Sequence, residues 1–140
     1  MTERRVVITG LGAVTPIGLT ADETWRSAKD GVCGIGELTL YDTANQKVKI
    51  AGEVKNFQPE NYMDKREARK LDRFTQLAIA AADQAFRDSG IVTERENAYR
   101  CAVIVSSGIG GLGTIADEHA RGEQKGFDRV SPYFIPMSIA

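Results

Sequence analysis

Nucleophilic and acid–base chemistry draws on few residue types, and this chain is sparing with them. It has two cysteines, Cys33 and Cys101, and one histidine, His119. A cysteine nucleophile needs a lowered thiol pKa or an adjacent base. Cys33 lies in Gly31-Val32-Cys33-Gly34, with no cationic neighbour in sequence. Cys101 opens an apolar run, where a small buried side chain is the usual role. His119 falls in Asp117-Glu118-His119-Ala120-Arg121, a polar stretch that predicts a solvated ring rather than a general base. The cysteines form no CxxC pair and the carboxylates no ligand spacing. No zinc site, other metal or disulfide framework is therefore expected, and no catalytic residue is assigned.

Two further patterns could bind rather than react. Gly108-x-Gly110-x-x-Gly113 has the spacing that brings a pyrophosphate to the amides of a helix N-terminus. The full pattern continues into a second strand with an acidic residue ~20 positions on. The chain offers Ser131-Pro132-Tyr133-Phe134 there. The other reading is a sharp turn at a strand end, packed closely on another element. A second glycine turn follows Thr9-Gly10, but Val14, Thr15 and Pro16 occupy the places of phosphate-binding glycines, and proline supplies no amide. The other binding pattern is electrostatic. Lys65, Arg66, Arg69, Lys70 and Arg73 interleave with Asp64, Glu67 and Asp72 and leave a local charge of +2. Cations at a helix start oppose its dipole by about 0.3–1 kcal/mol each. An anionic partner would offset that cost; a solvated face with internal pairs is the alternative.

These residues need elements to hold them. The 140 residues carry 18 Lys+Arg against 19 Asp+Glu, which argues against nucleic-acid binding by bulk charge. Apolar residues make up 42%, an ordinary globular share. No apolar run approaches the ~20 residues of a membrane span, and the N-terminus has no signal-peptide pattern. Arg4-Arg5-Val6-Val7-Ile8-Thr9 and Cys101-Ala102-Val103-Ile104-Val105-Ser106-Ser107 read as strands buried on both faces. Val48 to Val54 is a shorter strand candidate, and Val32 to Thr43 is loop-like. Thr20-Ala21-Asp22-Glu23 has the capping-box form, so a helix follows it, with Trp25 and Ala28 inward and a stop at Gly31. The period of Ala68, Leu71, Phe74, Leu77, Ala78, Ala81, Ala82, Ala85 and Phe86 predicts a long helix. It should begin between Asp64 and Arg69 and end at Gly90, and its alanines allow packing from several sides. Another helix is expected over about Thr114 to Arg121. Strands alternating with helices predict an α/β protein of parallel β-α units with a doubly covered sheet. No linker or repeat marks a domain boundary. The apolar segment Ser131 to Ala140 either packs into the domain or belongs to the front of a longer chain.

Four stretches together resemble the start of a β-ketoacyl-acyl-carrier-protein synthase of the type II elongating kind. They are Arg4 to Gly12 with Thr15-Pro16-Ile17-Gly18, Arg69-Lys70-Leu71-Asp72-Arg73-Phe74, Ser107-Gly108-Ile109-Gly110-Gly111-Leu112, and Ser131-Pro132-Tyr133-Phe134-Ile135-Pro136. Each is common alone; their order and spacing span nearly the whole chain. The resemblance implies an α/β fold, the first part of a thiolase-like α-β-α-β-α layered architecture. Residues 1–140 would then be an incomplete N-terminal domain that stops before the catalytic cysteine. It also implies a decarboxylative Claisen condensation, in which a cysteine thioester is attacked by the carbanion of malonyl-acyl-carrier protein. Neither Cys33 nor Cys101 matches that cysteine, so the chain alone should be inactive. Ile109 matches a residue that lines and gates the acyl pocket, and Phe134 one that reaches into the pocket of the dimer mate. Arg66, Arg69, Lys70 and Arg129 match positions that receive the acidic carrier protein, although Asp128 departs from the basic residue usual beside Arg129. The implied protein is a cytoplasmic homodimer that takes no cofactor and partners acyl-carrier protein bearing acyl and malonyl groups, without nucleic acid or membrane. Two alternatives stand beside it. One is a non-catalytic chain-length partner of a ketosynthase. The other is a nucleotide-binding α/β protein using the Gly108–Gly113 turn.

Overall fold

The computed structural model describes residues 4–139. Its contacts divide the chain into two compact units, residues 1–58 with 80–91 and residues 59–79 with 92–140.

In the first unit, helix α1 spans Ala21–Lys29. The Thr20 hydroxyl accepts the Glu23 N–H at 3.1 Å, as the capping box predicts. The Glu23 carboxylate reaches one residue further back than the motif requires and accepts the Leu19 N–H at 2.8 Å. Gly31 lies beyond the end at φ +70°. The inward role expected of Trp25 is not met: 65% of it is exposed. It borders an open apolar recess of about 330 Å³ with Leu11, Ala13, Ala21 and Ala28. Strand β1 (Ile35–Glu37) pairs antiparallel with β2 (Ile50–Gly52), Gly36 opposite Ala51. β2 falls inside the predicted strand, whereas β1 lies in a stretch that reads as loop.

Helix α2 covers Lys65–Ala68 and α3 covers Arg73–Ser89. The single long helix predicted from periodicity is thus two helices. α3 ends before Gly90, at φ +65°, as expected. Its second part belongs to the first unit, where the alanines allow very close packing. A Cβ on Gly12 would collide with the Ala81 carbonyl, and one on Gly10 with the Ala85 carbonyl. The Leu11 N–H donates to Asp88 Oδ2 at 2.9 Å and the Ala13 N–H to Gln84 Oε1 at 3.3 Å, fastening this segment to the helix. Ala80 is fully buried.

In the second unit, helix α4 spans Leu112–Lys125 and α5 spans Phe134–Ser138. α4 extends beyond both predicted ends. α5 packs on α4, which docks residues 134–138 of the apolar C-terminal segment within this unit while Ile135 and Ile139 stay exposed.

The two long apolar strands do not form. Among the described residues β1 and β2 make the one sheet, and it is antiparallel, not parallel. Val6 is 93% exposed and Ile104 92%. A strand buried on both faces exists only through hydrogen-bonded neighbours and covering helices, and the described residues supply neither. The apolar residues buried among them are Phe57, Ala68 and Ala80.

Candidate functional site

The basic cluster sits on a pinned turn in the second unit. Asp64 Oδ1 accepts the Arg66 N–H at 2.7 Å and starts α2. Ala68 is buried and Arg69 is still helical, after which the Lys70 and Leu71 N–H groups bond back to Glu67 and Ala68 carbonyls. The Gln76 side-chain amide donates to the Ala68 and Leu71 carbonyls at 2.8 and 3.2 Å. These bonds hold the backbone while Arg66, Arg69 and Lys70 stay exposed. Among the described residues none of the three forms an ion pair. Lys70 Nζ lies 5.5 Å from the Tyr133 ring centre, an exposed cation–π contact worth about 0.5–1 kcal/mol. Arg66, Arg69 and Lys70 therefore present positive charge to solvent.

Ile109 lies on the loop that leads into α4 and is 68% exposed. Gly110 takes φ +78°, which a side chain rarely tolerates, and its N–H donates to Ser107 Oγ at 2.9 Å. The Gly111 N–H donates to the Ser138 carbonyl at 3.1 Å and the Leu112 N–H to the Gly110 carbonyl at 3.0 Å. Three successive amides of the turn, those of Gly110, Gly111 and Leu112, are thus engaged within the protein. Gly111 is buried where a Cβ would strike the Met137 carbonyl, so this glycine is present for close packing. The turn-and-packing reading of the glycine run holds at Gly110 and Gly111.

Phe134, at the start of α5, is half-buried and lines an apolar recess of about 360 Å³ with Ile115, Glu118, His119, Phe127 and Val130. Ile109 is not part of that lining. Glu118 is buried beneath the recess. Its Oε2 accepts the Ser131 N–H at 2.7 Å and its Oε1 meets Arg121 at 3.0 Å. That bond anchors the segment ahead of Phe134. Arg129 is exposed, 3.6 Å from its neighbour Asp128, a weak pair that leaves most of its charge to solvent. His119 is exposed but not isolated: its ring meets Phe127 edge-on at 6.3 Å.

Both cysteines are free and exposed, Cys101 contrary to expectation, because the strand it was to open has no neighbours. Cys33 Sγ is 4.0 Å from the Ile35 carbonyl and Cys101 Sγ 3.5 Å from the Asn97 carbonyl, neither of them a base. Among the described residues no group of three or more His, Cys, Asp or Glu could hold a metal ion, and no helix is long and apolar enough to cross a membrane. Sequence reasoning missed two carboxylates. Glu118 gives no signal, being one acid in a polar helix. Asp72 does: an aspartate before a periodic run is a helix-start signature, masked here by an apolar period that continues across the break.

Residues 3–140 match the model of the β-ketoacyl synthase N-terminal domain. The 3-oxoacyl-(acyl-carrier-protein) synthase 2 of Staphylococcus aureus strain COL is 48% identical over 97% of this chain and 33% of its own length. The enzyme of that name from Vibrio cholerae is 45% identical over 99% of this chain and 34% of its own. The chain thus spans about a third of the length of these relatives. Among solved structures, the ishigamide ketosynthase/chain length factor matches at TM-score 0.86 and 29% identity, over 98% of this chain and 34% of that one. A type II PKS ketosynthase, solved with its acyl-carrier protein and bound to a hexaketide, matches at TM-score 0.76 and 23% identity, covering 98% and 35%; that likeness concerns the fold alone. The backbone therefore follows the α/β, thiolase-like path of the ketosynthases, even where its apolar segments lack strand partners. The chain belongs to the β-ketoacyl synthase family, in the part that forms its N-terminal domain.

Proposed function

We propose that the full-length protein elongates fatty acyl chains by condensing an acyl-enzyme thioester with malonyl-acyl-carrier protein. The 48% identity over nearly the whole chain to a named 3-oxoacyl-(acyl-carrier-protein) synthase carries this reading. In it, residues 1–140 are an incomplete domain that lies ahead of the catalytic cysteine. They supply surface and pocket rather than reacting atoms, which agrees with two thiols that are bonded to no base among the described residues. Ile109 limits the depth of the acyl pocket by its volume, and Phe134 contributes to the pocket of a dimer mate. The protein works as a cytoplasmic homodimer.

Arg66, Arg69, Lys70 and Arg129 receive the acidic carrier protein. The support is physical: three of these cations stand on a hydrogen-bonded turn, exposed and without an internal anion among the described residues. Such charges speed encounter and orient a partner more than they add raw affinity. Replacing Arg69 and Lys70 together by Glu in the full-length protein turns two exposed attractions of ~0.5 kcal/mol into repulsions of similar size. The Michaelis constant for acyl-carrier protein should rise about ten- to thirtyfold, and more at low salt. An unchanged constant would remove these residues from the docking surface. A non-catalytic chain-length partner is separated from the enzyme by one residue beyond Ala140: a cysteine at the nucleophile position supports condensation, a glutamine the partner.

A further inference from the structure

The turn bearing Arg69 and Lys70 and the loop bearing Ile109 meet at one carboxylate, beside which that loop is tied to the end of α5. Asp72 stands two residues after Lys70. Its Oδ1 accepts the Phe74 N–H at 3.2 Å and starts α3. Its Oδ2 accepts the Thr114 hydroxyl, in the first turn of α4, at 2.5 Å. Gly111 lies close by, with room for no side chain between: a Cβ there would come within 2.8 Å of the same oxygen. The Gly111 N–H also ties to the Ser138 carbonyl at the end of α5.

We propose that Asp72, acting through the Thr114 hydroxyl, is a positioning residue that sets where Ile109 stands relative to the docking turn. Ile109 is mostly exposed and the backbone beyond it turns through a positive φ, so its place follows from Gly111 and the start of α4. Asp72 holds the start of α4 through Thr114, and Gly111 lies against it. A hydrogen bond to an ionised acceptor is about twice as strong as a neutral one. A side chain that limits a pocket by volume is sensitive to displacements well below an ångström. The carboxylate thus ties the surface where a carrier lands to the loop that limits the acyl chain. This inference rests on the reading that Ile109 lines the acyl pocket.

The test uses the full-length protein and four variants, Thr114→Val, Thr114→Ser, Asp72→Asn and Ile109→Phe. The readouts are the distribution of product chain lengths and, separately, the Michaelis constant for acyl-carrier protein. Thr114→Val removes the hydroxyl at nearly constant volume. It should change the ratio of long to short products about tenfold or more, the scale of one lost hydrogen bond to a charged acceptor. It should leave the Michaelis constant unchanged. Thr114→Ser keeps the hydroxyl and should keep the parental distribution. Asp72→Asn retains an oxygen for Phe74 and should shift the distribution in the same direction but less; it answers the question if Thr114→Val does not fold. If Ile109→Phe alters the distribution while Thr114→Val and Asp72→Asn do not, the positioning role is overturned and the pocket reading survives. If none of the three alters it, both fall. A Thr114→Ser change as large as that of Thr114→Val also overturns the proposal, because the methyl packing and not the hydroxyl would then matter. So does an effect of Thr114→Val confined to the Michaelis constant.

Discussion

Glu53 follows β2 directly, and its carboxylate gathers three hydrogen bonds from the far side of the strand pair. Oε2 accepts the Thr39 hydroxyl at 2.7 Å, and Oε1 accepts the Thr39 and Leu40 N–H groups at 2.9 and 3.1 Å. The hydroxyl bond, then the Thr39 amide, hold the carboxyl below its ordinary value of 4.5, with smaller help from Leu40 and Lys55 against a small opposing cost of burial. A lowered folded pKa means that the stabilisation is fully present above the ordinary value and is lost as pH falls through the folded one. The Glu53 carboxyl should therefore titrate by carbon NMR with a midpoint under 4.5, and the Thr39 amide proton should follow the same midpoint. A Glu53→Gln variant should abolish the Thr39 titration. A midpoint at or above 4.5 would mean that these bonds do not persist in solution.

At the scale of elements, α3 serves as a backbone-on-backbone support in the first unit. Ala81 and Ala85 leave its surface bare, and Gly10 and Gly12 let the incoming segment approach it without side chains between. Gly12→Ala should cost roughly 1–3 kcal/mol by overpacking, seen as a lower urea midpoint. Gly113→Ala is the control: it stands in the first turn of α4 with nothing within 4 Å of a Cβ, and should be neutral or stabilise by about 0.4–1 kcal/mol. Equal losses in the two variants would exclude the close approach as the cause. These glycines were legible in the sequence as turn residues, and the alanine block as a surface for close packing. The capping box at Thr20 and the stops at Gly31 and Gly90 were legible because local chemistry sets them. The break before Asp72 was not, since an apolar period reports a buried face and passes unchanged through a turn that keeps it. β1 escaped because three residues carry no period, and its pairing depends on a partner over a dozen residues away. The exposed cations were visible as a local charge excess and Ile109 only through the family resemblance, whereas Asp72 and Glu118 became meaningful only through groups distant in sequence.

At the scale of the molecule, the apolar stretches from Val6 and from Cys101 set the terms. Their sequence is that of strands covered on both sides. Yet among the described residues they pair with nothing, and Val6, Ile8, Val103 and Ile104 are all more than four-fifths exposed. Unpaired apolar strands are templates for association, and contiguous exposed apolar surface favours it further. The 140 residues expressed alone should therefore sediment with a mass that rises with concentration. On the proposed reading, and with neither thiol bonded to a base among the described residues, they should release no condensation product from acyl- and malonyl-carrier protein, while the full-length protein should. A discrete monomer across the concentration range would show that these segments find cover within the chain, and product formed by it would place the reactive thiol at Cys33 or Cys101.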